Sequence, residues 1–314
     1  MVDVFWIDVE GMSADNSVSH KIKRLFDGSG AAEDIEEQMR VALKINTSED
    51  GYEYGLRPVF IRSVSKEVQK VAIKSALICD GLRLIDYNRK TKGQAFKEIG
   101  LSKGYSDGTL AGSFAINGGY SGDEANLYTI RSEDSILGGV EVGTAICRCD
   151  ALIVLSHVTL HPLFGLSGAL LNGGFESLSA KERIRVLEGL NPYAFDGKVP
   201  PQDRLARFHR RALEGHLGVH ESISGRVFYM NFLWDVTPQP EYYPYSETPF
   251  VQNLGFLASS DPVALDATTY GLLREFTQGE DPVKSKTGVD FQKILEEAVN
   301  LELGTLDYDI KRSS

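Results

Sequence analysis

Three cysteines in 314 residues, Cys79, Cys147 and Cys149, are too few for a disulfide framework, a zinc ribbon or a cysteine-ligated iron–sulfur cluster. Cations are also short. Lys and Arg number 33 against 44 Asp and Glu, a net charge of −11, and so acidic a field disfavours nonspecific nucleic-acid or anionic-membrane binding. Long apolar runs are missing: nothing approaches the roughly 20 residues of a membrane helix. The opening MVDVFWIDVE sets acids among its apolar residues and lacks the layout of a signal peptide. A soluble cytoplasmic protein is expected, with no nucleic acid and no membrane as partner. Familiar signatures are absent too. There is no Gly-x4-Gly-Lys-Ser/Thr phosphate loop and no His-Glu-x-x-His. Gly28-Ser-Gly30-Ala-Ala-Glu33 lacks the third glycine of a dinucleotide fingerprint, and Gly165-Leu-Ser167-Gly168-Ala169 lacks the second spaced glycine of a nucleophile elbow.

What is present is an alternation. β-Branched and apolar runs at 2–9, 41–45, 75–79, 151–156, 227–233 and 254–258 predict strands. Helical patterns lie between several of them. Phe60, Ile61, Val64, Val68 and Val71 form an amphipathic stripe, Ser179 with Glu182 reads as a capping box, and Ser260-Asp261-Pro262 opens a further helix. The alternation predicts an α/β fold, a mainly parallel sheet with flanking helices. No linker splits the chain, so two lobes of one unit are expected, an α/β lobe at 1–155 and a second at 156–314. The polar tail from 304 reads as a surface extension. In such sheets ligands sit beyond the carboxyl ends of the strands, so the residues just after each strand are the ones to inspect.

Glycine is the one excess, 31 of 314 against a usual ~7%. It concentrates at 100–122 and 165–174, stretches too glycine-rich for regular helix. The second stretch follows the most informative segment, where a strand delivers His157 and His161 and the glycine loop opens onto Asn172. Two imidazoles four residues apart can hold a divalent metal or move a proton. The plain alternative is that one caps a carbonyl while the other lies on the surface. Lys44 interrupts an apolar strand and either snorkels or faces a ligand. Arg57, kept extended by Pro58, can fork onto a carboxylate or phosphate. Asn231 lies inside a strand and Asp235 just beyond it. Asp261 reads as a helix cap, and Asp266 either faces the site or is a surface acid. A helix at 202–221 carries Arg204, Arg207, Arg210 and Arg211, with His209, His216 and His220 sharing one face. A solvated, mixed-charge face is expected there, with a second metal site as the alternative.

Several of these segments together resemble the family known as domain of unknown function 362. The marks are VALKIN at 41–46, YGLRP at 54–58, Cys79-Asp80, Asp86-Tyr87-Asn88-Arg89 and the His157, His161, Gly165, Gly168, Asn172 segment. Met230-Asn231-Phe-Leu-Trp-Asp235 and Gly255 through Asp261-Pro262 to Asp266 complete them. The resemblance implies an enzyme of redox or isomerase type acting on a small anionic molecule in a cleft beside the histidines. On the residue reading set beside it, His157, His161 and Asp266 are expected in catalysis, His157 and His161 as metal ligands, and Lys44, Arg57, Arg89, Gly165, Gly168, Asn172, Asn231 and Asp235 around the ligand. Members often carry an inserted ferredoxin-like module. Between 181 and 227 this chain has no cysteine, so a helical segment at about 179–221 stands in its place and no iron–sulfur cluster is expected.

A more distant similarity joins Arg57-Pro58 and His161-Pro-x-x-x-Gly165-x-Ser-Gly168 to the nickel-pincer lactate racemase family. There the equivalent of His161 ligands nickel and a lysine ten residues further on tethers the cofactor. In this sequence that position is Leu171, and Thr159 stands where family 362 usually has another lysine. Leucine forms no tether and threonine supplies no cation. The alternative reading is therefore a non-catalytic protein that has lost those lysines and the cluster and binds a ligand, a second copy or a complex partner.

Overall fold

The apolar runs pair into one eight-stranded sheet in the computed structural model. It describes residues 1–72, 74, 76–86, 89–132, 134–191 and 200–312, with the backbone alone at 85, 86, 89 and 90. The strands are β1 (Val2–Ile7), β2 (Val41–Lys44), β3 (Leu77–Gly81), β4 (Ser113–Asn117), β5 (Ala151–His157), β6 (Val227–Leu233), β7 (Gly255–Ser259) and β8 (Tyr308–Arg312). Their order is β8-β1-β7-β6-β5-β2-β3-β4. Only β7 pairs antiparallel, with β1 and β6 on either side; the other neighbours are parallel. A mainly parallel α/β fold is what the alternation predicts.

β5 and β6 are buried along their whole length. That matches their near-continuous apolar sequences, since parallel strands covered on both faces have no solvent side. Alternate residues of β5 serve two apolar layers. Leu152 and Val154 pack with Leu170, Phe175, Phe208, Leu213 and Leu265; Ile153 and Leu155 pack with Ile22, Phe60, Val64 and Val68. The helices Val18–Gly28 and Pro58–Val71 cover the second layer. Ala169–Gly173, Ala180–Leu187, Gln202–Ser222 and Pro262–Phe276 cover the first. Phe60 shows what the stripe does: it stacks on Phe232 at 5.7 Å and meets Phe256 edge-on at 5.4 Å. Burying one such ring stabilises by about 1.5–3 kcal/mol. The start signals hold, with Ser179 accepting from the Glu182 amide and Asp261 from the Ala264 amide.

Three expectations are corrected. The tail is not a loose extension, because Tyr308–Arg312 adds β8 parallel to β1. The 165–174 stretch contains the helix Ala169–Gly173, stabilised from outside by a carboxylate described below. The helix Gln202–Ser222 does not present its histidines to solvent. His216 is fully buried, and His209 Nε2 donates to the Leu163 carbonyl at 2.7 Å. Its arginines are spent on intramolecular partners, Arg204 on the Glu188 carbonyl, Arg207 and Arg211 on the Glu188 carboxylate, and Arg210 on Glu214 and Glu297. Among the described residues no helix is long and apolar enough to cross a membrane.

Candidate functional site

The carboxyl ends of β2, β3, β5 and β6 lie on one edge of the sheet, and there the chain concentrates its buried charge. Lys44, the last residue of β2, is fully buried. Its ammonium donates to Asp80 Oδ1 at 3.0 Å, to the Ile45 carbonyl at 2.7 Å and to Asn46 Oδ1 at 3.4 Å, three acceptors for three protons. Asp80, on the neighbouring β3, accepts the Thr47 amide on Oδ2 at 2.7 Å, with Arg83 Nη1 3.6 Å away. Burial alone would raise the Asp80 carboxyl, but Lys44, then Arg83 and the Thr47 amide hold it below the usual carboxylate range. Asn46 Nδ2 donates onward to Asn172 Oδ1 at 3.0 Å. The network thus joins β2 to the glycine-rich segment, and Asn172 Nδ2 is buried with no partner among the described residues.

His157 ends β5 and is 1% exposed. Its Nδ1 lies 3.1 Å from Glu241 Oε1, and its Nε2 lies 2.8 Å from the Trp234 carbonyl and 3.3 Å from that of Asp235. Acceptors on both sides call for a proton on each nitrogen. Burial opposes the charge, yet the Glu241 hydrogen bond and charge and the Trp234 carbonyl outweigh it and raise the pKa. His161 is the opposite case. The Leu163 and Phe164 amides donate to its Nδ1 at 3.2 and 2.9 Å, so the ring proton sits on Nε2, 3.0 Å from Tyr242 Oη. Burial, reinforced by His209, drives its pKa down to about 3 and keeps it neutral. The cleft expected at these histidines is filled by the segment 234–243. As placed, all four ring nitrogens are engaged with different partners, and neither ring presents a bare lone pair to a metal.

Asp266, expected at the site or on the surface, is fully buried. It accepts the Ala169 amide and Asn231 Nδ2 on Oδ1, both at 2.8 Å, and the Leu170 amide on Oδ2 at 2.9 Å. It thereby caps the orphan donors of a very short helix, while burial pushes its carboxyl up to about 6. Gly168 makes the approach possible, since a Cβ there would stand 2.3 Å from Asp266 Oδ1. Gly165, at φ +82°, closes the hairpin of Thr159–His161 and Gly165–Ser167 in a conformation that side chains resist.

The open cavity at this edge lies to one side of the histidines. It has about 390 Å³ and is lined by Tyr52, Arg57, Lys103, Tyr105 and Asp235, with segment 53–56. Arg57 precedes the helix Pro58–Val71 on extended backbone and is 49% exposed. Its Nη2 donates to Asp235 Oδ2 at 2.7 Å, and its guanidinium stacks 5.1 Å from the Trp234 ring centroid. Asp235 adopts φ +54°, and its backbone N–H donates to Asn253 Oδ1 at 2.8 Å. Left-handed backbone in a non-glycine residue is a cost that binding sites concentrate. Of the proposed ligand residues, Arg57 and Asp235 line this cavity, whereas Lys44, Gly165, Gly168, Asn172 and Asn231 do not. Arg89's side chain, with Tyr87 and Asn88, lies outside the described residues.

Sequence reasoning passed over Glu241, the partner of His157, and Tyr52, whose Oη meets Thr237 Oγ1 at 2.5 Å and donates to the Gln239 carbonyl at 2.9 Å. Glu241 sits in PQPEYYP at 238–244, which has no periodicity; a lone acid among prolines and tyrosines was the available signal. The residues do not fit a lysine-tethered pincer. Leu171 is 1% exposed within the apolar layer, and the Thr159 hydroxyl is buried without a partner among the described residues. Among the described residues no three His, Cys, Asp or Glu group to hold a metal.

Comparison with known proteins agrees with this fold. The apoprotein of lactate racemase from Thermoanaerobacterium thermosaccharolyticum superimposes with a TM-score of 0.50 at 12% identity, over 88% of this chain and 58% of that one. A Thermotoga maritima protein aligns at a TM-score of 0.40 and 14% identity, over 89% of this chain and 61% of its own. The chain thus spans about three fifths of each. At such identities the first likeness speaks for the fold alone. No curated protein matches the sequence. The family described as domain of unknown function (DUF362) matches residues 41–271, a span that runs from Lys44 and Arg57 through both histidines to Asp266, and the chain belongs to that family.

Proposed function

We propose that this chain is an isomerase-like enzyme whose substrate is a small carboxylate bound in the Arg57 cavity. One observation carries the reading. A half-exposed guanidinium, oriented by Asp235 and Trp234, opens onto a space of about 390 Å³ at the carboxyl edge of a parallel sheet. That volume is in the range of small-molecule sites, and the place is where such sheets bind ligands. Only Nη2 of Arg57 bonds Asp235, which leaves other guanidinium donors to fork onto a carboxylate. Asp235 Oδ1 then faces the substrate α-carbon as the group that takes and returns a proton. His157 is a positioning residue, holding the Trp234 and Asp235 carbonyls that set this wall. The reaction class rests on likeness of fold and is an analogy.

The second reading, ligand binding without turnover, is favoured by Leu171 and Thr159 in place of lysines and by the engaged histidines. One experiment separates the two. A panel of small 2-hydroxy and 2-amino carboxylates is tested for thermal stabilisation, and each hit is incubated with the protein in D₂O and followed by proton NMR. Stabilisation with loss of the α-proton signal, both abolished in Arg57→Ala, is the expected result. Stabilisation without exchange leaves the binding reading; no stabilisation by any member overturns both.

A further inference from the structure

Away from that edge, β6 and the helix Gln202–Ser222 enclose a ladder of three side chains that the proposed reaction does not use. His216 Nδ1 lies 3.0 Å from the Leu170 carbonyl, His216 Nε2 lies 2.7 Å from Tyr229 Oη, and His220 Nε2 lies 2.6 Å from the same oxygen. Counting hydrogens fixes the direction of every bond. Burial drives both rings neutral, with pKa values pushed down to about 3 and about 4, so each ring carries one proton. A carbonyl only accepts, so the proton of His216 is on Nδ1 and its Nε2 is bare. Tyr229 must therefore donate to His216, which spends its only proton, and His220 must donate to Tyr229 from Nε2. The Nδ1 of His220 is left as an acceptor with no donor among the described residues.

His220 lines a groove of about 690 Å³, together with Arg131, Asp134, Ser224, Asn300 and Glu302. Arg131 is paired with Glu221 at 2.6 Å, and Arg210, also in the wall, with Glu214 and Glu297. Asp134 and Glu302 have no ion-pair partner among the described residues. The helices Gln202–Ser222 and Phe291–Asn300 both end at this groove, adding the negative ends of their dipoles. The surface therefore offers acceptors and negative potential, with its cations already neutralised.

We infer that this groove is a second binding site, for a small organic ammonium compound that donates to His220 Nδ1 while Asp134 and Glu302 balance its charge. The test uses the full chain labelled with ¹⁵N-histidine and spermidine as the probe, at low ionic strength because such contacts are screened by salt. Without probe, His216 is expected as the Nδ1–H tautomer and His220 as the Nε2–H tautomer. Spermidine should shift His220 Nδ1 saturably and leave His157 and His161 unmoved. The double substitution Asp134→Asn, Glu302→Gln should weaken binding at least tenfold, about 1.4 kcal/mol, with an unchanged melting temperature. A His220 found with its proton on Nδ1, no saturable shift at millimolar spermidine, undiminished binding by the double variant, or an equal response to inorganic phosphate would each overturn the inference.

Discussion

Acid should unfold this protein through histidines rather than carboxylates. His161, His216 and His220 are held neutral, with pKa values near 3, 3 and 4. A lowered histidine pKa means that the unfolded chain binds more protons than the native one, so stability is lost as pH falls below the unfolded value of about 6.5. At pH 5 each ring costs about 2 kcal/mol, from roughly 1.4 kcal/mol per pH unit, and the three together about 6 kcal/mol. Asp266, His157 and Asp261, whose carboxyl burial also raises, act the other way. Asp266, raised to about 6, contributes stability that is full below the unfolded carboxyl pKa and lost as pH rises through 6; it returns about 1 kcal/mol at pH 5. His157, also raised, gains on acidification. Before the gains from His157 and Asp261, the net loss between pH 7 and 5 is about 5 kcal/mol, a large part of a typical total of roughly 5–15 kcal/mol. Urea unfolding at pH 7, 6 and 5 measures it directly. In His161→Asn, with one titrating ring removed, the loss should shrink by about 2 kcal/mol. Unfolding midpoints that hold steady from pH 7 to 5, or a His216 resonance titrating near 6.5, would refute the reasoning.

Other substitutions follow from the same packing. Leu171→Lys puts a charge into the apolar layer and should cost about 3 kcal/mol or more in urea unfolding without creating a metal site. Lys44→Met strips the buried ammonium from Asp80 and should destabilise by about 3–5 kcal/mol. Adding Asp80→Leu to it removes the stranded carboxylate but also the acceptor of the Thr47 amide and the partner of Arg83, so it should recover only part of that loss, whereas a deeper loss in the pair would disprove the accounting. Gly168→Ala drives a methyl into Asp266; calorimetry should show a lower melting temperature, and an unchanged one would mean that the short helix shifts freely.

Fold class was legible because β5 and β6 write their two-sided burial as unbroken apolar sequence, and because Ser179 and Asp261 cap helices by purely local chemistry. β8 was not legible: its residues are mostly exposed, so no apolar alternation marks it, and only its pairing with β1 makes it a strand. At the site, Arg57 and Asp235 stood out as strand-end and pre-proline residues. The assignment of Asp266 needed a contact with Ala169 almost a hundred positions away, and that of Glu241 a contact with His157 across eighty-four. Sequence pattern reports periodicity over a few turns. It carries no record of which distant acid meets which amide, and so His216 read as a surface residue when it lies at the bottom of the core.

The placement of β1 has a consequence for how the chain comes to be made. Both of its neighbours, β7 and β8, come from the last fifth of the sequence, and Trp6 finds its carbonyl partner 248 residues later. At a synthesis rate of roughly 5–20 residues per second, those first residues wait for tens of seconds, while β2, β3, β4 and β5 can already pair with one another. Through that interval an apolar segment with open edges is available to any other strand. A ribosome stalled before residue 255 would hold out a nearly complete parallel sheet together with an unpaired strand, the kind of intermediate that chaperones recognise.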